Sequence, residues 1–73
     1  MDRKEICVTI GRNIRRRREE SGISETALAF YLDILPEQLK EYESGNDSPT
    51  CDELIQIAKV LECSVDEICS AAL

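Results

Sequence analysis

Apolar residues recur every three or four positions along most of the chain, which is the spacing of one face of an α-helix. The first stretch shows this most clearly, because Ile6, Ile10 and Ile14 follow one another at intervals of four. No stretch has the strict alternation of apolar and polar residues that is typical of a half-buried strand. The pattern predicts an all-α protein, and the breaks between the stretches divide it into five helices.

Turn and capping residues set the predicted limits of the first three helices. Gly22 supplies a left-handed residue that ends the first helix, and Ser24 is a good N-cap for the second. Asp33 tolerates the left-handed conformation at the next turn. Pro36 fits the first turn of the third helix, which Gly45 closes.

The last two helices are predicted to begin with a capping box, in which a Ser or Thr is followed three residues later by Glu. The two boxes are Thr50 to Glu53 and Ser64 to Glu67. The last three helices are each expected to bury one face. In the third helix this face carries Leu35, Leu39 and Tyr42, and in the fourth Leu54, Ile57, Ala58 and Leu61. In the fifth it carries Val65, Ile68, Cys69 and Ala72.

The 73 residues suffice for one small domain, 1–73, with a thin core. The net charge of −6 is divided unevenly, because residues 1–18 carry +5 and residues 19–73 carry −11. No apolar run is long enough to cross a bilayer, and the first residues lack the apolar core of a signal peptide. We therefore expect a cytoplasmic protein that does not contact membranes.

The four cysteines raise the question of a metal site or a disulfide. The chain has no histidine and no Cys-x-x-Cys pair, so the usual zinc-binding spacings are missing. A cytoplasmic setting also disfavours structural disulfides. We expect four reduced thiols and no metal or other cofactor, with metal binding as the less favoured alternative.

The second and third predicted helices are joined by a very short turn at Asp33 and Ile34, which is helix-turn-helix spacing. The small side chain of Ala29 would let the third helix cross closely over the second. Two helices packed together for stability alone would show the same features. The spacing by itself therefore does not identify a binding motif.

Longer motifs surround this helix pair. They are Ile10-Gly11-x-x-Ile14-Arg15-x-x-Arg18-x-x-x-Gly22-Ile23-Ser24, Leu28-Ala29-x-x-Leu32, Tyr42-Glu43-x-Gly45-x-x-x-Pro49-Thr50, Leu54-x-x-Ile57-Ala58-x-x-Leu61 and Cys63-Ser64-Val65-Asp66-Glu67-Ile68. In this order and spacing the chain resembles the phage repressors and Cro-like regulators over residues 10–69. The resemblance implies a compact five-helix, lambda-repressor-like domain with its helix-turn-helix at 24–43.

In that family the third helix lies in the major groove of DNA, and the first turns of the second and third helices donate to phosphates. The resemblance implies a recognition helix at about 36–43 and an ion pair between Arg18 and Glu43. A solvated surface charge is the alternative for Arg18. The DNA-binding residues implied by position are Ser24, Glu25, Pro36, Glu37, Gln38, Lys40, Glu41, Ser44 and Asn46.

Several of these positions depart from the family's habit of polar or basic residues. Glu25 stands where the family has an amide that donates to phosphate, and Leu35 where it has a capping Ser or Thr. Within the recognition helix three glutamates outnumber one lysine, although phosphate neutralisation supplies most non-specific affinity.

The arginine-rich run at 12–18 is a candidate for phosphate contact or for docking an acidic protein. A solvated face with local Arg15–Glu19 and Arg16–Glu20 pairs is an equally good alternative.

The favoured function is a sequence-specific, DNA-binding transcriptional regulator acting on double-stranded DNA as a homodimer, with the tail at 68–73 as the candidate dimer surface. The alternative is a protein-interaction module of the same fold, such as an antirepressor or an antitoxin-like partner, whose acidic third helix meets a basic protein. An enzyme is disfavoured, because the chain has no histidine, no Gly-rich phosphate loop and no nucleophile beside a base.

Overall fold

A computed structural model describes residues 2–70 and confirms the all-α prediction. Five helices follow one another, and no strand occurs among these residues. The helices are α1 (Arg3–Glu20), α2 (Glu25–Leu32), α3 (Pro36–Ser44), α4 (Cys51–Val60) and α5 (Val65–Cys69). None of the helices in residues 2–70 is long and apolar enough to span a membrane.

The helix ends lie where capping chemistry predicts them. The Ser24 side chain accepts a hydrogen bond from the backbone N–H of Ala27, and both predicted capping boxes are complete. Asp33 and Gly45 adopt left-handed conformations at the ends of α2 and α3. Each of these caps satisfies a backbone group that would otherwise have no partner, whereas α3 begins at Leu35 without a side-chain cap.

Each of the five helices contributes one large, fully buried side chain to a shared core. These side chains are Ile14, Leu28, Leu39, Ile57 and Ile68. Burying an aliphatic side chain of this size contributes about 1.5–3 kcal/mol. Because the five lie in one cluster, loss of packing in any helix is felt by the others.

The expectation that Leu35 shares the buried face of α3 is wrong, because its side chain is 69% exposed. Leu35 is the N-cap of α3 and has an extended backbone. It therefore lies outside the helical periodicity that carries Leu39 and Tyr42 into the core. Ala72, which was expected to complete the face of α5, lies outside the described residues.

α1 approaches the C-terminal end of α3 at two glycines. A Cβ on Gly11 would lie 2.8 Å from the carbonyl oxygen of Glu43 and even closer to that of Tyr42. A Cβ on Gly45 would lie 2.7 Å from the Cα of Val8. Side chains at these two positions would push the helices apart, so glycine sets the separation of α1 and α3.

Polar side chains of α1 hold α5 in place. The buried amide of Asn13 donates to the carbonyl oxygens of Ile68 (2.7 Å) and Ser70 (2.9 Å), which lie at the end of α5. Arg17 donates to the carboxylate of Glu67 at 2.7 Å. Hydrogen bonds from Ser64, followed by the charge of Arg17, lower the pKa of Glu67. α1 therefore supports both α3 and α5.

Candidate nucleic-acid interface

α2 and α3 cross closely over a tight turn. Ala29 is buried at the crossing, and the backbone N–H of Ile34 donates to the carbonyl oxygen of Ala29 at 3.0 Å. Asp33, with φ of 57°, reverses the chain between the helices. The small residue and the left-handed turn together hold the start of α3 against the end of α2, as a helix-turn-helix requires.

Four side chains form an exposed face along α3. Leu39 and Tyr42 point into the core, which leaves the opposite side of the helix in solvent. We call this side the α3 face; its exposed residues are Glu37, Lys40, Glu41 and Ser44. Three of them can reach the edge of a base or a phosphate with a charged group. The Ser44 hydroxyl donates to the carbonyl oxygen of Glu41 at 3.1 Å.

Gln38 lies at the edge of this face rather than on it. Its Nε2 donates to Asp47 at 2.9 Å, which orients the amide and leaves its oxygen and its second N–H available to a partner. The phenol of Tyr42, close beside it, donates to Glu53 at 2.8 Å. Burial, then the hydrogen bond and charge of Glu53, raise the pKa of Tyr42 to about 12. Gln38 is thus tied to the body of the domain through the loop that follows α3.

Arg18 and Glu43 form a closed pair behind the α3 face. Arg18 Nε donates to a Glu43 oxygen at 2.7 Å, Nη2 donates to the other oxygen at 3.2 Å, and Nη1 donates to the carbonyl of Ile23 at 2.9 Å. The side chains are only 10% and 5% exposed. The hydrogen bond to Glu43 raises the pKa of the Arg18 guanidinium above its ordinary value. This bidentate geometry ties α1 to α3 and removes the charge of Glu43 from the surface.

The loop after α3 is held by the start of α1. Lys4 Nζ donates to the carbonyl oxygen of Gly45 at 3.2 Å and to Oδ1 of Asn46 at 3.1 Å. Asn46 therefore meets solvent with its amide nitrogen free, next to a lysine charge. The sequence alone did not indicate that Lys4, more than forty residues away, belongs to this loop.

The basic run of α1 divides between the core and the surface. Arg18 is buried and Arg17 half-buried, whereas Arg12, Arg15 and Arg16 are exposed. Arg15 lies 3.5 Å from Glu19, in a pair whose two side chains are both more than half exposed. The Arg16–Glu20 pair, which belonged to the alternative of a solvated face, does not form among the described residues.

A cleft of about 230 Å³ opens between α1 and the two helices of the helix-turn-helix. Glu25, in the first turn of α2, contributes one wall, and its negative charge acts on Arg18. We call this space the α1–α3 cleft; it is lined by Arg15, Arg18, Glu25, Lys40, Glu43 and Ser44. It brings together basic residues that the sequence shows far apart.

None of the four cysteines lines the α1–α3 cleft. No group of three or more possible metal ligands lies together in residues 2–70, and the four cysteines are unpaired there. Burial raises the pKa of the Cys63 and Cys69 thiols, which keeps them protonated and poorly reactive at neutral pH.

A family model described as helix-turn-helix matches residues 14–68, and the chain therefore belongs to the helix-turn-helix family. Over 60 residues the chain is 33% identical to the cryptic phage CTXphi transcriptional repressor RstR of Vibrio cholerae, a match that covers 82% of this chain and 54% of that protein. It is 37% identical over 57 residues to the HTH-type transcriptional regulator DicA of Escherichia coli, covering 78% and 42%. The chain spans about half the length of the curated relatives that it matches.

The fold is also similar to that of the P22 c2 repressor, solved in complex with a synthetic operator. The TM-score is 0.77 at 26% identity, and the match covers 84% of this chain and 92% of that one. This likeness confirms the lambda-repressor-like architecture expected from the sequence motifs.

Proposed function

We propose that this chain is the DNA-binding domain of a transcriptional regulator, with α3 as the recognition helix in the major groove. The observation that carries the proposal is the α3 face, which stays in solvent while Leu39 and Tyr42 fasten the helix to the core. Two relatives are described as a transcriptional repressor and a transcriptional regulator. A side chain on this face would extend away from the body and toward the base edges.

The acidity of the recognition helix is smaller than its sequence indicates. Of its three glutamates, Glu43 is neutralised by Arg18, which leaves Glu37 and Glu41 beside Lys40. A carboxylate can accept a hydrogen bond from cytosine N4 in the major groove. We therefore propose that Glu37 and Glu41 contact bases and favour cytosine, while Lys40 contacts the backbone.

The other positions implied by the resemblance divide into two groups. Ser24, Glu25 and Pro36 lie in or beside the first turns of α2 and α3, the elements that approach phosphates in this family. Gln38, Ser44 and Asn46 already make internal hydrogen bonds. We propose that these three act through the groups left over. These are the oxygen and second N–H of the Gln38 amide, the Ser44 oxygen and the Asn46 amide nitrogen.

A homodimer on a two-fold DNA site is part of the proposal, because a single module of this size makes few base contacts. Within the tail expected to form the dimer surface, Ile68 is fully buried in its own core and cannot contact a second copy. Residues 71–73 lie outside the described residues. A role on DNA is consistent with the cytoplasmic location expected from the sequence.

We also propose that the chain has no catalytic role. The neighbouring carboxylates Asp52-Glu53 and Asp66-Glu67 have structural uses, since Glu53 and Glu67 complete the two capping boxes.

The second candidate function is a protein-interaction module that meets a basic protein surface. The acidic residues Glu37 and Glu41 on the α3 face are the observation that favours it.

Selection from a pool of random duplexes at low salt tests the proposal. We expect the chain to enrich a sequence with cytosine at the contacted positions, and its binding to weaken steeply as salt is added. Glu41→Gln should change the enriched sequence at one position, whereas Glu62→Gln, an equal charge change at an exposed site beyond α4, should not. No binding at micromolar protein would favour the interaction module instead.

A further inference from the structure

The first turn of α3 offers few backbone donors to a ligand. Its first residue is Pro36, which has no N–H group. The carbonyl oxygen of Leu35 accepts from the N–H of Gln38 at 3.0 Å and from that of Leu39 at 3.3 Å. Within the part of the chain that the structure describes, the N–H of Glu37 is therefore the single free donor of this turn.

That one donor belongs to a residue that repels anions. The Glu37 side chain is exposed and carries a negative charge beside its own N–H. A phosphate approaching this turn would gain one hydrogen bond and meet a carboxylate of like charge. In this chain the start of α3 is therefore a poor place to hold the DNA backbone, and another kind of contact has to account for it.

Leu35 is the residue at this place that is open to a different contact. It is the N-cap of α3, and its side chain makes no capping hydrogen bond. The side chain is largely exposed. A single exposed leucine is common on protein surfaces. This one stands where a hydroxyl or a carboxylate would stabilise the helix, so its apolar side chain replaces a group that the helix itself would favour.

The position of Leu35 decides what it can meet on DNA. The N-terminal residues of a recognition helix contact base edges in the major groove. These edges present hydrogen-bond donors and acceptors, and thymine adds a methyl group on C5. Contact between a leucine and this methyl group removes apolar surface of both partners from water. Because Leu35 can neither donate nor accept through its side chain, thymine is the base that it matches.

We propose that Leu35 determines specificity by contacting the C5 methyl group of a thymine in the major groove. This inference rests on the proposed function and names one further base of the same DNA site. It adds a thymine to the cytosines expected opposite Glu37 and Glu41. The start of α3 then contributes to sequence preference and little to the salt dependence of binding.

The test removes the methyl group from the DNA. In the duplex that the wild-type chain enriches from a random pool, each thymine is replaced in turn by deoxyuridine, which lacks only that methyl group. Binding is measured by fluorescence anisotropy. At one position the wild type should lose affinity about four-fold, the effect of exposing one such group to water. Leu35→Ala should bind the thymine and uracil duplexes equally at this position, and so should Leu35→Ser, which supplies a capping hydroxyl.

Phe30→Ala is the matched control, because it shortens another exposed apolar side chain that lies on α2. It should keep the wild-type preference for thymine over uracil. A selected site in which no thymine responds to the replacement, or an equal response of the wild type and Leu35→Ala, would overturn this inference alone. If the wild type enriches no sequence at all, the proposed function is overturned and this inference with it.

Discussion

The junction of α1 with α3 and the outer side of α2 differ in how far their side chains are buried in contacts within the domain. At the junction, a glycine allows backbone contact and a bidentate ion pair is buried. On the outer side of α2, Phe30 is 81% exposed and Tyr31 is 61% exposed. Their two rings lie edge to face, with centroids 6.1 Å apart.

This difference shows which contacts hold α3 in position. α3 is fixed from behind by α1, through the buried Arg18–Glu43 pair and the close approach at Gly11. The two aromatic side chains of α2 contribute little burial to the same fold. Changes at the junction should therefore alter stability and DNA binding together, whereas changes at the aromatic pair should leave the fold intact.

The largest effect is expected from Arg18→Ala. The substitution leaves the Glu43 carboxylate without a partner at a buried site, and breaking a buried pair in this way costs about 3–5 kcal/mol. Urea denaturation followed by circular dichroism measures the loss. Arg15→Ala, which breaks the exposed pair with Glu19, is the control and should cost less than about 1 kcal/mol. Similar losses for the two variants would show that the junction pair is not effectively buried.

A smaller effect is expected from Gly11→Ala. The new methyl group meets the carbonyl oxygens of Tyr42 and Glu43, and overpacking of this kind costs about 1–3 kcal/mol. Because relief requires α3 to move, DNA affinity should fall at temperatures where the variant is still folded. Arg12→Ala, at the next position on the exposed side of α1, should change stability by no more than about 0.5 kcal/mol. A fully stable Gly11→Ala variant would contradict the close approach.

The smallest effect is expected from Phe30→Ser. With so much of the ring already in solvent, the free energy of unfolding should change by no more than about 0.5 kcal/mol. Leu28→Ala, two residues earlier and fully buried in the same helix, should cost about 2–5 kcal/mol. A loss above 1 kcal/mol for Phe30→Ser would mean that the aromatic pair packs against the body, and the contrast between the two regions would disappear.

Local signals predicted the helices well. The N-cap of Ser24, the left-handed Asp33 and the two capping boxes lie where the sequence places them, because each motif joins groups only two to four residues apart. The exception is Leu35, which its spacing from Leu39 and Tyr42 places on the buried face of α3 but which is exposed. Position at the start of α3 decided its exposure, and hydrophobicity did not.

The candidate interface was only partly predictable. Motif positions indicated which residues lie on α3, yet they did not reveal that Gln38 is bonded to Asp47 or that Lys4 holds the loop at Asn46. These contacts join residues 9 and 42 positions apart. No local pattern encodes such partners, because they depend on how the helices pack.

The sequence by itself determined the number of helices, most of their ends and the apolar faces that form the core, since these follow from hydrogen bonding and periodicity within short segments. Tertiary structure alone decided which charges remain available. It buried Glu43 against Arg18 and brought Arg15 of α1 to the same cleft as Lys40 of α3. The physical reason is that electrostatic partners are set by distance in space, and packing around Gly11 and the shared core fixes those distances.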